Sequence, residues 1–367
     1  MVASLSARAV PTRQEQEPAA REVEEVAPGV LRLQLPIHLP GLAHVNCYAL
    51  IDARGAALVD PGLPGPSNQR ALRDRLRRAG LEPRHVHTVL VTHSHPDHFG
   101  GAAALARATR ARVVAHRSFS FGPPPAAPEV SVDDLTPPAS APEIPAPAPV
   151  FRGPGRLPWD PEAPPRRQLR PPLLMRLRAR LWRMGGPMDF VPTIGERIDA
   201  GDVLRLAGRE WRVLHTPGHT ADHVCLHDPE AGVLLAGDHV LPTITPHISG
   251  LGRDPDPLGS YLRSLQEIGE LQDVKLVLPA HGHPFVDLGG RISGIARHHG
   301  ERLERLVAIG RRVGRAGVES YSRELFRPRS WGPMAESETY AHLEHLRLQG
   351  RAERSHEPGG RLLYELG

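Results

Sequence analysis

The chain has 367 residues, enough for one large domain or for a core domain joined to a smaller one, so length sets no obstacle to a sizeable core. Its formal charge of +4 comes almost wholly from arginine, Lys275 being the only lysine, and so small an excess makes no case for a nucleic-acid partner by itself. Two cysteines, Cys47 and Cys225, each lie inside an apolar run, which excludes a disulfide framework and points to buried thiols in a reducing cytosol.

Residues 1–26 are polar and unpatterned, without a continuous apolar segment, and are expected to form a disordered leader instead of a secretion signal. Nowhere do eighteen apolar residues run together, so no membrane span is expected and the cytoplasm is the expected compartment. From Gly29 onward, GVLRLQLPI, VNCYALID and GAALVDPG read as three short strands separated by turns. NQRALRDRLRRAG has helical spacing and stops at Gly80, and HVHTVLVTH is a buried strand. After it GGAAALARATR predicts a helix and ARVVAH a further strand.

Between about residues 121 and 190 prolines and alanines dominate, and a segment so rich in proline supplies neither central strands nor helix interiors, so it reads as an insertion. Near its end PPLLMRLRARLWRMGG places Leu173, Leu177, Leu181 and Met184 on one helical stripe, with four arginines mostly off it. Three readings stay open: a helix packed on the domain, a lid whose Leu177, Leu181 and Trp182 touch substrate, or a face for a membrane or RNA. Short strands with an antiparallel pattern resume at GERIDAGDVL. From about residue 289 to 367 two helix patterns, RHHGERLERLVAIGRRVG and AESETYAHLEHLRLQG, precede a hairpin around EPGG, which suggests a winged helix.

The chemistry concentrates in THSHPDHFGG, where His93, His95, Asp97 and His98 crowd six positions directly after an apolar strand. Packing so many polar rings together carries a considerable desolvation cost, which a metal offsets. His93 and His95 lie two apart in extended chain and can point the same way, while Asp97 and His98 lie at the mouth of a following helix and can face a second ion. Three more apolar runs finish in a donor: HTPGHTADH holds His219, LLAGDHV holds Asp238, and LVLPAHGHP holds His281. In a layered α/β fold such strand ends converge on one edge.

These four motifs together resemble the metallo-β-lactamase superfamily of hydrolases, from Gly29 to about Pro284 apart from the insertion. The resemblance implies an α/β fold, an αββα sandwich, with a metallohydrolase domain at 27–288 and a winged-helix-like domain at 289–367. It assigns His93, His95 and His219 to one divalent ion, Asp97, His98 and His281 to a second, and Asp238 to a bridge, with Asp97 and Asp238 as catalytic carboxylates. Asp60 of LVDPG matches the family's buried aspartate beneath the metals, where it would orient a ligand histidine. The donor set suits zinc and would also accept iron or manganese. Two ions roughly 3.5 to 4 Å apart would share a water, hold it as hydroxide, and polarise the scissile group, so hydrolysis is the expected reaction.

The bridging carboxylate and the Asp97–His98 pair look like the glyoxalase II and RNase Z sites, not the cysteine-ligated β-lactamases. The tail resembles a winged-helix module attached to a subgroup of these hydrolases, some of which act on RNA. Three functions follow. The favoured one is hydrolysis of a small acyl substrate, a thioester, ester or lactone, because AESETYAHLEHL is acidic where a nucleic-acid helix should be basic. The others are RNA cleavage with the tail holding RNA, and metal binding without turnover. His247, in a proline-rich loop after Asp238, is a candidate to face substrate. His215, His223, His227, His239 and His283 are expected to support the ligands or lie on the surface, and His85, His87 and His116 to be structural.

Overall fold

A computed structural model describes residues 13–121, 157–161 and 190–367. Its first sheet has seven strands in sequence order: β1 (Val23–Ala27), β2 (Val30–Leu39), β3 (Leu42–Asp52), β4 (Gly55–Val59), β5 (Val86–Val91), β6 (Arg112–His116) and β7 (Glu196–Ile198). The first four pair antiparallel through turns, and β4 to β7 run parallel. Parallel neighbours need crossovers, which α1 (Pro66–Arg78) and α3 (Ala102–Thr109) supply. The second sheet runs in the order β12, β11, β10, β9, β8, from β8 (Val203–Leu206), β9 (Arg209–His215), β10 (Val224–Asp228), β11 (Val233–Gly237) and β12 (Leu276–Pro279).

The two sheets face each other across an apolar layer that includes Tyr48, Leu50, Leu90 and Val114 from the first and Trp211, Val213, Leu226 and Leu235 from the second. Leu72 and Leu76 of α1 and Leu105 of α3 cover the outer face of the first sheet. The outer face of the second is covered by α4 (Pro257–Gly269) and α5 (Leu288–Val313). The order is therefore helix, sheet, sheet, helix, the αββα sandwich. Cys47 and Cys225 are free and buried.

After α5 come β13 (Ala316–Gly317), α6 (Val318–Leu325), α7 (Pro333–Leu348), β14 (Ala352–His356) and β15 (Leu362–Leu366), with β15 between β13 and β14 in a small antiparallel sheet. Tyr321, Leu343, Leu346 and Tyr364 of this segment share one apolar cluster with Leu258, Tyr261 and Leu265 of α4, so the tail and the second sheet's helical layer are packed as one body. Among the described residues no helix is long and apolar enough to cross a membrane.

Order begins earlier than the expected leader boundary at residue 26. Gln14–Gln16 form a 3-10 turn and Val23–Ala27 is an edge strand. Its polar sequence reflects that position: Glu24 and Glu25 face solvent, and Glu24 takes Arg32 of β2 at 2.6 Å. Leu173, Leu177, Leu181 and Met184 of the helical stripe, and Trp182 of the lid reading, lie outside the described residues. The insertion's flanks do not: Phe121 and Phe190 have ring centroids 5.6 Å apart, and both pack on Phe99. Within it, Trp159 is buried against Tyr340 of α7.

Candidate metal centre

His93 and His95 follow the end of β5, and Pro96 opens the short helix α2 (Pro96–Phe99), which carries Asp97 and His98 in its single turn. His219 lies between β9 and β10, Asp238 follows β11, and His281 follows β12. Gly218 sets up His219: its φ is +134°, and a Cβ there would come 2.4 Å from the Tyr261 Cα, so only glycine fits.

All seven donors meet in two groups, His93, His95, His219 and Asp238 in one and Asp97, His98 and His281 in the other, each with its ligand atoms mutually within 4.8 Å. His95 Nδ1 stands 3.0 Å from both His93 Nε2 and His219 Nε2. In the second group His281 Nε2 and His98 Nε2 lie 3.6 and 3.7 Å from Asp97 Oδ2. Asp238 spans both: Oδ2 is 3.5 Å from His219 Nε2 and from His98 Nε2, and Oδ1 is 3.4 Å from His281 Nε2.

Bonds on the far side of three of the five rings fix which nitrogen faces inward. His98 Nδ1 donates to Asp60 Oδ2 at 2.9 Å, His219 Nδ1 to the His247 carbonyl at 2.8 Å, and His281 Nδ1 to the His44 carbonyl at 2.6 Å. Asp60 also accepts the Thr92 N–H at 2.9 Å and the Thr92 hydroxyl at 2.7 Å, and that hydroxyl stands 3.0 Å from His93 Nδ1. Every inward atom is thereby left to the shared space. His98 Nε2, His281 Nε2 and Asp238 Oδ1 are buried and find no hydrogen-bond partner among the described residues.

Buried polar atoms without partners are rare in folded proteins, and when they converge as imidazole nitrogens and carboxylate oxygens the arrangement fits a cation. The electrostatics agree. Burial would raise the Asp238 carboxyl, but His281 and His98 outweigh it and hold it well below the usual range. Burial likewise disfavours a charged His98, yet Asp238, Asp97 and Asp60 together raise it well above an ordinary imidazole. His93 and His95 go the other way, pushed well down by burial and by neighbouring rings, which favours the neutral form that binds a metal.

Other histidines take supporting places. His223 is fully buried, accepts the Asp238 N–H at 3.0 Å through Nε2, and meets the Thr216 hydroxyl at 2.7 Å. His247 contributes its backbone carbonyl to His219, while its ring turns toward Glu338 of α7 at 3.4 Å. The roles of His44, Thr92 and Glu338 carried no signal in the sequence. Two of the three act through backbone or hydroxyl atoms that any pattern of charged residues passes over.

The family model of the metallo-beta-lactamase superfamily matches residues 40–281. The lactamase-like protein aptB of Emericella nidulans is 33% identical over 136 residues, 35% of this chain and 41% of that protein. The atrochrysone carboxyl ACP thioesterase AgnL7 of Paecilomyces divaricatus is 33% identical over 122 residues, 33% of this chain and 36% of that protein. These matches thus span less than half the length of either relative. A crystal structure of a metallo-beta-lactamase family protein from Thermus thermophilus is similar along 94% of this chain and 100% of its own, with 29% identity and a TM-score of 0.67. Since the matched region runs through all seven donors and both sheets, the chain belongs to the metallo-beta-lactamase superfamily.

Proposed function

We propose that this protein is a hydrolase that holds two divalent ions, zinc foremost with iron or manganese as substitutes, and cleaves a small acyl substrate of the thioester, ester or lactone type. One observation carries the reading: two groups of donors share Asp238 and aim partnerless buried atoms into a common space. His93, His95 and His219 would hold one ion and Asp97, His98 and His281 the other. When bound, such ions supply Lewis acidity and an activated water.

The chain's own residues supply placement. Asp238 reaches both groups and so sets their separation. Asp60 and the carbonyls of His44 and His247 hold three rings in the tautomer that presents Nε2. Neither cysteine serves as a nucleophile: both are buried, and burial pushes the Cys225 thiol up to about 12.

An acyl substrate is supported by the likeness to a protein named as an acyl-carrier-protein thioesterase. We read residues 289–367 as a winged-helix-like domain, from its order of helix, strand, two helices and hairpin. Its helix α7 would be the element to enter a nucleic-acid groove. Yet residues 335–337 and 339–346 of that helix are buried, and it carries Glu336, Glu338 and Glu344, which speaks against RNA.

Elemental analysis after metal-replete expression should give two ions per chain, and at most one would refute the paired site. A turnover screen against acyl thioesters, lactones, phosphodiesters and single-stranded RNA should show the acyl compounds cleaved. Cleavage of RNA with the acyl substrates untouched would overturn the substrate assignment.

A further inference from the structure

The carbonyl that orients His219 belongs to an irregular loop between β11 and α4, and a loop carbonyl keeps its direction only if something else holds the loop. Helix α7 does so along its length. Ser337 Oγ meets Ser249 Oγ at 3.0 Å and accepts the Gly250 N–H at 3.2 Å, and the Ser337 carbonyl lies 3.3 Å from the same nitrogen. Gly250 sits so close to α7 that a Cβ there would fall 2.5 Å from the Tyr340 ring. Two turns on, His345 Nδ1 is 2.9 Å from Asp256 Oδ1.

Between these clasps Glu338 Oε2 faces His247 Nδ1 at 3.4 Å, and Oε1 takes Arg302 of α5. Only 13% of the Glu338 side chain is exposed. Burial works against its charge, but His247 and Arg302 hold the carboxyl down to about 2. A buried ion pair is seldom the most stable way to fill a space, since apolar residues of similar volume serve at least as well. Its position, one residue's width behind a metal ligand, gives it a use.

We propose that Glu338 and Ser337 are positioning residues for His219, acting through the backbone of His247, so that the tail of the chain completes the metal site. This rests on the metal reading of the His/Asp cluster. It assigns the winged-helix-like segment a task inside the hydrolase, with no nucleic acid required. The link runs in three steps: α7 fixes the loop, the loop presents its carbonyl, and the carbonyl selects the His219 tautomer.

The test uses zinc alone, titrated into metal-free full-length protein against a chromophoric chelator. The variants are Ser337→Ala, Glu338→Gln, His247→Ala, which keeps the carbonyl, and the double variant His247→Ala/Glu338→Gln. Loss of a group that orients a ligand costs about 10- to 100-fold in metal affinity. Glu338→Gln and His247→Ala should each weaken one zinc by about tenfold, and the double variant should bind no more weakly than the poorer single one. Thermal melts of the metal-free variants provide the readout that a merely structural role would move instead. Wild-type zinc affinity in the single variants, or losses that multiply in the double one, would overturn the proposal. Ser337→Ala removes a clasp without leaving Arg302 unpaired, so its affinity decides the matter if Glu338→Gln does not fold. If the wild type takes up no zinc, the metal reading itself fails; if it binds two and the variants match it, only the positioning role does.

Discussion

Replacing Asp60 by asparagine would separate the support of the site from the ligands themselves. Asp60 has φ of +55°, a left-handed conformation in which aspartate and asparagine are among the few tolerated side chains, so the backbone should persist. As a carboxylate it accepts three bonds, from the Thr92 N–H, the Thr92 hydroxyl and His98 Nδ1. Asparagine offers one oxygen. With that oxygen held by Thr92, its amide N–H₂ points at His98 Nδ1, which must then accept, and the ring proton moves to Nε2, the atom that faces Asp238 and Asp97. The metal-facing nitrogen is thereby blocked. A loss of 10- to 100-fold in affinity, about 1.4 to 2.8 kcal/mol, is expected for one ion, while the fold should lose only about 1 kcal/mol for one rearranged bond. Chelator competition for zinc, read beside a thermal melt of the metal-free protein, measures both. Two ions bound to Asp60→Asn as tightly as to the wild type would show that His98 is not oriented through this bond.

Asp238→Ala should abolish turnover of whichever substrate the wild type cleaves while the chain still folds, with a lower melting temperature for the metal-free protein because His98 and His281 lose the carboxylate that offsets their charge; retained activity would remove Asp238 from the reaction. Acid should weaken the fold through two histidines behind the site: burial, aided for His299 by its neighbour, holds His299 down at about 2, and burial holds His342 at about 4. Both rings stay neutral when folded and take a proton when unfolded, so stability present above about pH 6.5 is lost as pH falls below it, by up to about 1.4 kcal/mol per pH unit for each. The drop in melting temperature from pH 7 to pH 5 should shrink in His299→Phe/His342→Leu, and an equal drop would place acid lability elsewhere. Deleting residues 123–186 across a short Gly-Ser bridge removes Leu177, Leu181 and Trp182, and with them Trp159, whose loss alone costs about 3 to 5 kcal/mol. Measured against Trp159→Ala, the deletion should raise KM for long-chain acyl thioesters more than for short ones with zinc content intact; an equal effect on both lengths would end the reading of these residues as an acyl wall.

The seven inward-facing donors were legible because each ends an apolar run or opens the helix after one, and a strand end has a fixed place in a layered fold. The strands of both sheets after the first, α1, α3 and the closing hairpin were legible from the same periodicity. Three elements were not. The strand Val23–Ala27 carries exposed glutamates on an edge, and α4 begins with proline and glycine after an aspartate-rich loop, so that its apolar face was lost among turn signals. Helix α6, VESYSREL, is made largely of residues with only middling helix propensity, unlike the alanine-rich α3, so nothing marked it as a helix. The groups that orient the donor rings were hidden for another reason. Backbone carbonyls at residues 44 and 247 have no side-chain signature, and which carbonyl meets which ring is decided by tertiary packing alone.

The loop after Asp238 shows why such support must come from far away in sequence. Pro242 and Pro246 donate no hydrogen bond, and a backbone that joins no sheet must have its remaining polar groups met by something else. Glu15, fully buried, accepts the N–H groups of Thr243 and Ile244 and the Thr243 hydroxyl; Arg291 donates to the carbonyls of Leu241 and Ile244, each at 2.5 Å. Ser337 meets Gly250. Three lone polar residues, one near each end of the described chain and one at the start of α5, thus fix the wall of the site that carries the His219 support. The opposite wall is built differently. Phe99, the residue after His98, packs on both Phe121 and Phe190, so the insertion leaves and rejoins the fold one residue from His98. A wall held by buried charges and by hydrogen bonds from three distant residues resists change, whereas an insertion rooted on three aromatic rings can vary in length and sequence without disturbing the bonds of His98. Selectivity between acyl groups is therefore expected to follow the insertion, and metal affinity the loop after Asp238.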